Sequence, residues 1–389
     1  MTVRHISHNF PTIGIIGGGQ LGKMISQEAK KMNFRVVILD PTKECPAAPV
    51  SDEQIVADFK DTVAIKNLAE KSDIITYEIE LANTDVLKAL QKNGCIVNPS
   101  PHTLSIIQNK FVQKTYLKNN NLPVVDFAKI ESIEDANLAG KEFGFPFILK
   151  ASCDAYDGRG NIVIYTIDEI PNAFAKFEGR EMYAEKFLDF DKEISVMVAR
   201  NQSGEIECFP VVENIHQDNI LIMTIAPARI SEMLQKTAKE LAIETMRVLD
   251  GGGIFGIEMF VTKNGKILIN EIAPRPHNSG HYSIEACNIS QFEQHLRAVA
   301  NLPLGKVVLL SPAVMVNILG DKTGPAKITG IYDVLKMPNV SLHIYGKKVS
   351  KPQRKMGHIT VLDKDVCNAI EKAKKARNVL TVCGCENET

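Results

Sequence analysis

Glu258-Met259-Phe260-Val261-Thr262-Lys263-Asn264-Gly265-Lys266-Ile267-Leu268-Ile269-Asn270-Glu271 reads as strand, turn, strand. Asn264-Gly265 is a strong hairpin signal and predicts a two-residue type I′ turn. That turn would set Lys263 against Lys266 and, stepping outward, Glu258 directly against Glu271. Two carboxylates opposed on one face, with Cβ atoms about 5 Å apart, repel. A hard divalent cation reverses the penalty, because Mg²⁺ takes oxygen ligands and keeps substrate phosphates in its shell. Asn270 adds an amide oxygen at the same end of the strand. Without the metal, the pair would be two solvated side chains at a sheet end. The apolar neighbours Ile257, Phe260, Ile267 and Ile269 argue for burial instead.

The chain leaves this hairpin through Ile272-Ala273-Pro274-Arg275-Pro276-His277-Asn278-Ser279-Gly280-His281-Tyr282. Two prolines stiffen the run around Arg275, whose planar fork suits phosphate or carboxylate. Upstream, Phe147-Ile148-Leu149-Lys150 ends in the polar loop Ser152-Cys153-Asp154-Ala155-Tyr156-Asp157-Gly158-Arg159-Gly160-Asn161 before the strand Ile162-Val163-Ile164. A polar, glycine-containing loop between strands predicts a flap over phosphates, with Arg159 adding a charge. It is not a Walker loop, since G-K-[ST] and a following helix are both missing. Lys150, and also Lys110, can reach an α- or β-phosphate from this side.

Nearer the N-terminus, Gly17-Gly18-Gly19-Gln20-Leu21-Gly22 follows the apolar run Thr12–Ile16 and precedes helical spacing over Gln20–Lys31; Asp40 closes the next strand. This pattern admits a nicotinamide dehydrogenase, with Asp40 on a ribose, or a purely structural turn. The favoured use is to hold a phosphorylated substrate at the helix start. Strands at Thr12–Ile16, Arg35–Leu39, Asp73–Tyr77 and Cys95–Val97, with helices between, predict a parallel sheet. Asn98-Pro99-Ser100-Pro101 marks a boundary. A helix is expected over Thr103–Asn119, then strands at Met182–Lys186, Glu193–Ala199 and Ile206–Val212, a helix at Glu232–Leu249 and a charged helix near Asp363–Arg377. The basic stretch Tyr345–His358 supplies Lys347, Arg354 and Lys355 as candidate phosphate ligands.

The 389 residues exceed one ordinary core. A net charge of −1 gives no global field for nucleic acid or an anionic membrane, so neither is an expected partner. No apolar run reaches membrane-spanning length, and the N-terminus lacks a signal-peptide core, which predicts a cytoplasmic protein. Eight scattered cysteines without a CxxC pair predict reduced thiols; Cys383-Gly-Cys385 reads as a reduced tail rather than a metal chelate.

Taken together, these residues resemble the ATP-grasp superfamily, and within it the N5-carboxyaminoimidazole ribonucleotide synthetases, the ATPase subunits of phosphoribosylaminoimidazole carboxylase. The resemblance runs through Gly17–Gly22, Thr76-Tyr77-Glu78-Ile79-Glu80, Ala155–Asn161, Ala184-Glu185-Lys186, Ile225–Arg229, Asn270–His281 and Arg354–His358. It implies an α/β and α+β architecture: a Rossmann-like pre-ATP-grasp domain (1–102), an ATP-grasp domain (103–305) and a small β-rich C-terminal domain (306–389).

The implied reaction carboxylates 5-aminoimidazole ribonucleotide with bicarbonate and ATP in purine biosynthesis, with Mg²⁺, or Mn²⁺ in its place. The resemblance also implies a homodimer. Lys110, Lys150, Ser152 to Gly160, Glu185, Lys186, Phe187, Leu188, Glu193, His216, Asn270 and Glu271 are thereby expected on ATP. Glu258 and Glu271 are expected on the metal. Gln20, Leu21, Glu78, Asn278, Ser279, Lys347, Arg354 and Lys355 are expected around the ribonucleotide and bicarbonate. Tyr156, Asp157, Arg159, Arg275 and His277 are the catalytic candidates. The flap carries Asp154-Ala155 before Tyr156, where many bacterial relatives have two glycines. Fungal relatives append a mutase domain for which this chain has no room, so the mutase step is assigned to a separate protein. The rival readings are a formate-dependent glycinamide ribonucleotide transformylase, the dehydrogenase, and a non-catalytic nucleotide-binding regulator.

Overall fold

The computed structural model describes residues 11–153, 160–177 and 179–384. The expected ligands Asp154, Ala155, Tyr156, Asp157, Gly158 and Arg159, and the tail thiol Cys385, lie outside the described residues. Among the described residues the strands form sheets of five, nine, four and three strands.

The five-stranded sheet is parallel, in the order Glu53–Ile55, Arg35–Leu39, Thr12–Ile16, Ile74–Tyr77, Ile96–Val97. Its inner strands are rich in Val and Ile and do not alternate with polar residues, and nearly every residue is buried, as a sheet covered on both faces requires. The edge strand Glu53–Ile55 was not expected: three residues, two of them polar, carry no periodic signal.

The four-stranded sheet runs Phe127–Ile130, Met182–Lys186, Phe147–Ala151, Asn161–Ile164. Phe147, Leu149 and Ala151 bury on its helix-covered face. Period two therefore turns Ile148 and Lys150 the other way, into the cleft.

The large sheet runs antiparallel from the hairpin Ile267–Ala273/Gly253–Thr262 through Phe190–Arg200, Val212–Gln217, Ile220–Ala226 and Ala313–Leu319 to Lys355–Leu362 and Val340–Ile344. Ile220–Ala226 pairs with Ala313–Leu319, so one continuous sheet crosses the boundary drawn at 305/306.

Three expectations change in detail. The helix expected over Thr103–Asn119 is two helices, Pro101–Gln108 and Lys110–Asn119. Asn109 lies between them in an extended conformation and caps the second, its side chain accepting from the Val112 N–H at 3.1 Å. The break makes Lys110 the first residue of a helix whose start is anchored by the Lys110 N–H donating to the Ser152 carbonyl at 2.7 Å. The strand expected over Ile206–Val212 is likewise split, into Ile206–Cys208 and Val212–Gln217, around Pro210, which cannot donate to a ladder.

The third change concerns the hairpin. Glu258 does face Glu271, but by another route. Asn264 does not have the positive φ a type I′ turn demands; Gly265 does, at 75°. The Gly265 N–H donates to the Thr262 carbonyl, and Thr262 pairs with Lys266, so next to the turn the register is one residue off the expected one. A bulge between Met259/Ile269 and Glu258/Glu271 leaves Asn270 unpaired and restores the phase. Without it Glu258 would oppose Asn270 and the two acids would point to opposite faces. Gly265 sits in the left-handed region, and a Cβ there would meet nothing within 4 Å. Gly265→Ala is therefore expected to cost about 1 kcal/mol, from backbone conformation alone. Chemical denaturation of the variant measures it.

Candidate functional site

A cleft of ≈ 1510 Å³ opens where the five-, four- and nine-stranded sheets meet. The hairpin supplies Glu258, Asn270 and Glu271 to its wall. About a quarter of the Glu258 side chain stays open to it, and 43% of Glu271. Burial, then the charge of Glu271, pushes the Glu258 carboxyl well above its ordinary range, to about 7. Burial opposes ionisation of Glu271 too, but there Lys110 prevails and holds its carboxyl below the usual value; Lys110 Nζ lies 2.7 Å from Glu271 Oε2. Two facing carboxylates, one of them resisting ionisation, form an oxygen donor set that a hard divalent cation satisfies.

Lys150 and Lys114 share Glu185. Lys114 Nζ lies 2.6 Å from Glu185 Oε2, and Lys150 bonds the other oxygen. Burial raises the cost of the Glu185 charge, yet the two lysines outweigh it and bring the carboxyl down to about 2. Lys114 is nearly inaccessible and was not foreseen. It sits four residues after Lys110, on the same helix face, and that spacing was the available signal. Lys186, Phe187 and Leu188 follow on the cleft wall, with the Lys186 N–H donating to the Asp126 carbonyl at 2.9 Å. Glu193 pairs with His216; burial disfavours the imidazolium, but Glu193 overrides it and raises the histidine. Phe190 and Phe260, stacked at 4.6 Å, add an aromatic wall beside Glu193 that was also unforeseen.

On the loop after the hairpin, Arg275 Nη2 lies 2.8 Å from Glu80 Oε1. His277 Nε2 lies 3.4 Å from Glu258 Oε1. Burial first, and the charge of Arg275 next, pull His277 well below its usual range, so its ring is neutral. Asn278 reaches the cleft and exchanges hydrogen bonds with Asn317. Ser279, expected on the substrate, is instead fully buried: its hydroxyl meets Ser195 Oγ and His277 Nδ1, each at 2.8 Å. Ser152 is buried as well, with its backbone spent on Lys110 and Glu181. Gly160, described at the far end of the flap, has φ 94° and accepts from the Ala151 N–H.

The glycine loop departs most from expectation. The Gly19 and Gly22 N–H groups, the anion-seeking amides of the helix start, donate to the two carboxylate oxygens of Glu78. Asp40, assigned to a ribose in the dehydrogenase reading, accepts from the N–H groups of Gly18 and Thr42 at 2.8 Å each and lies buried. Both features of a dinucleotide fingerprint are thus occupied from within the fold. Gln20, Leu21 and Glu78 still line the cleft. Beside this loop, where Lys23 Nζ donates to the Ile344 carbonyl at 3.0 Å, the basic stretch brings Lys347, Arg354 and Lys355 to the cleft. Lys347 Nζ donates to the Lys355 carbonyl at 2.7 Å and Arg354 Nη1 to the Val349 carbonyl at 2.7 Å, so the basic stretch is folded on itself.

Family models match in chain order: the ribonucleotide synthetase preATP-grasp domain over 10–108, the ATP-grasp domain over 115–292, and the phosphoribosylaminoimidazole carboxylase C-terminal domain over 313–372. The N5-carboxyaminoimidazole ribonucleotide synthase of Bacillus subtilis is 42% identical over 350 residues, 90% of this chain and 91% of that protein. The crystal structure of N5-carboxyaminoimidazole ribonucleotide synthetase from Thermotoga maritima superposes with a TM-score of 0.89 at 50% identity, covering 97% of this chain and all of that one. The Aspergillus clavatus synthase, solved with ADP and 5-aminoimidazole ribonucleotide, gives 0.88 at 35%, covering 95% of this chain and 99% of that one. The chain spans about two thirds of the length of the fungal phosphoribosylaminoimidazole carboxylases it matches.

Proposed function

Because the chain belongs to the N5-carboxyaminoimidazole ribonucleotide synthase family of ATP-grasp ligases, we propose that its cleft carboxylates 5-aminoimidazole ribonucleotide at the expense of ATP, a step of purine synthesis. The observation that carries the reading is the meeting of Glu258 and Glu271 across the hairpin with Lys110 and Lys150 beside them. Two acids and two lysines lining one cleft suit a triphosphate bound with a divalent cation.

In this reading, Glu258 and Glu271, with Asn270 adjacent, hold Mg²⁺ or Mn²⁺; when bound, the cation neutralises charge developing on the phosphates. Lys110 and Lys150 hold phosphate oxygens. Lys186 to Leu188 and the Phe190/Phe260 wall flank the base, and Glu193 holds the ribose. A bicarbonate oxygen attacks the γ-phosphorus, releasing ADP and forming carboxyphosphate. Arg275 and neutral His277 orient bicarbonate beside Glu258. The exocyclic amine of the ribonucleotide then takes the carboxyl group, inorganic phosphate departs, and the amine loses one proton. Asp157 is the proposed acceptor of that proton, and Tyr156 to Gly160 are proposed to close over the site and exclude water. Gln20, Leu21, Asn278, Lys347, Arg354 and Lys355 surround the ribonucleotide. A homodimer, a cytoplasmic location and a separate mutase complete the proposal.

ADP release is expected only when bicarbonate and 5-aminoimidazole ribonucleotide are both present. Release driven instead by formate and glycinamide ribonucleotide would replace this reading with the transformylase one. No turnover with either pair, despite ATP binding, would leave the regulator.

A further inference from the structure

The run Ile272–His277 carries Arg275 and His277, yet two of its residues are prolines and, among the described residues, it has no neighbouring strand beyond Ala273. Two buried glutamines replace that strand. At its start, the Ile272 N–H donates to Gln113 Oε1 at 3.1 Å and Gln113 Nε2 donates to the Ile272 carbonyl at 3.3 Å. At its end, the His277 N–H donates to Gln291 Oε1 at 2.9 Å and Gln291 Nε2 donates to the His277 carbonyl at 2.9 Å. Each primary amide thus pairs with one residue's donor and acceptor together, as an antiparallel partner would. Gln113 is 2% exposed and Gln291 wholly buried.

Backbone elsewhere makes room for the second clamp. A Cβ on Gly280 would come within 2.4 Å of Gln291 Oε1, and a Cβ on Gly256 within 2.6 Å of the His277 Cβ. Gln291 is itself fixed: its N–H donates to Ser283 Oγ at 2.9 Å, and its Nε2 also meets His281 Nδ1 at 2.9 Å. The chain of contacts then runs from Gln291 through His277 to Glu258.

We propose that Gln291, with Gln113 at the other end of the loop, is a positioning residue: its amide clamps the His277 backbone and so sets the imidazole against Glu258. A misplacement of about 1 Å at a reacting group costs on the order of 10²-fold in rate. The inference rests on the ligase reading above, which bicarbonate-dependent ADP release by the parent enzyme tests separately.

The test is a double-mutant cycle between Gln291→Met and His277→Ala. Gln291→Met is expected to lower kcat by about 10²-fold, with KM for ATP changed by less than about 2-fold. In the His277→Ala background the same change should cost under about 3-fold, because nothing remains to position. Gln291→Glu, which keeps the acceptor for the His277 N–H and loses the donor to its carbonyl, serves the same cycle if the methionine variant does not fold. An unchanged kcat, or the same loss in both backgrounds, would overturn the proposal.

Discussion

Glu258→Gln is expected to lower ATP turnover by about 10³-fold and yet to melt at a higher temperature than the parent in metal-free buffer at pH 8. The first effect follows from removing one of two facing carboxylates that would hold the cation, a role worth several kcal/mol in the transition state. The second follows from where the carboxyl sits. Burial and Glu271 raise it to about 7, against an unfolded value near 4.3. A group raised in the folded state adds stability that is complete below its unfolded value and is lost as pH rises through the folded one. At pH 8 the ionised pair therefore weakens the fold. About 1.4 kcal/mol per unit gives roughly 4 kcal/mol, and the quarter of the side chain open to the cleft brings this nearer 3. A glutamine escapes that cost, and the gap between the two proteins should narrow as pH falls below about 7 and close only below the unfolded value near 4.3, where the carboxyl is neutral in both states. Added Mg²⁺ should raise the melting temperature of the parent and leave the variant where it was. Equal melting at pH 8 without metal, or undiminished turnover, would refute this account.

The same residue shows how far the sequence could be read. Alternation and the Asn-Gly signal were enough to set Glu258 against Glu271. They could not show that the turn is built on Gly265 alone, nor that Asn270 bulges out to correct the phase. Two one-residue differences cancelled, because burial of one face selects the final register whatever turn begins it. Reach in sequence decided the glycine loop. Gly17–Gly22 was legible as a tight turn before a helix, but its tenant, Glu78, arrives from the end of another strand. A local pattern reveals that amides are presented, not what they bind.

Burial of polar groups was the least legible feature. Ser279 lies in a run of polar residues and looked like a ligand, whereas packing turns its hydroxyl under His277. Gln291 gives no local hint, since its partner lies fourteen residues away across a loop. Lys114 was closer to hand. Lys110, Gln113 and Lys114 fall at i, i+3 and i+4 on one helix, and all three face the cleft. Two cations and an amide on one helix face are costly to bury without anions and backbone groups opposite, and the fold supplies Glu271, Ile272 and Glu185 in turn.

That arrangement makes Lys114→Met a severe change despite its matching length. Lys114 and Glu185 are each 3% exposed in their side chains, and breaking a buried pair by removing one partner costs about 3–5 kcal/mol. The loss should carry a pH signature. Glu185 is held at about 2, below its unfolded value, so its contribution is present above that value and disappears as pH falls through the folded one. Without Lys114 the folded value rises and only Lys150 remains as partner. Acid unfolding of the variant should then begin at higher pH than in the parent. ATP affinity should fall too, because Lys150 becomes the sole counter-ion of a buried carboxylate and gives up that contact less readily for a phosphate. Replacing both partners, as Lys114→Met with Glu185→Met, removes the stranded charge, and much of the urea stability should return while nucleotide binding does not. If instead the two single changes simply added, with no recovery in the pair, Lys114 would be a packing residue and Glu185 would not depend on it.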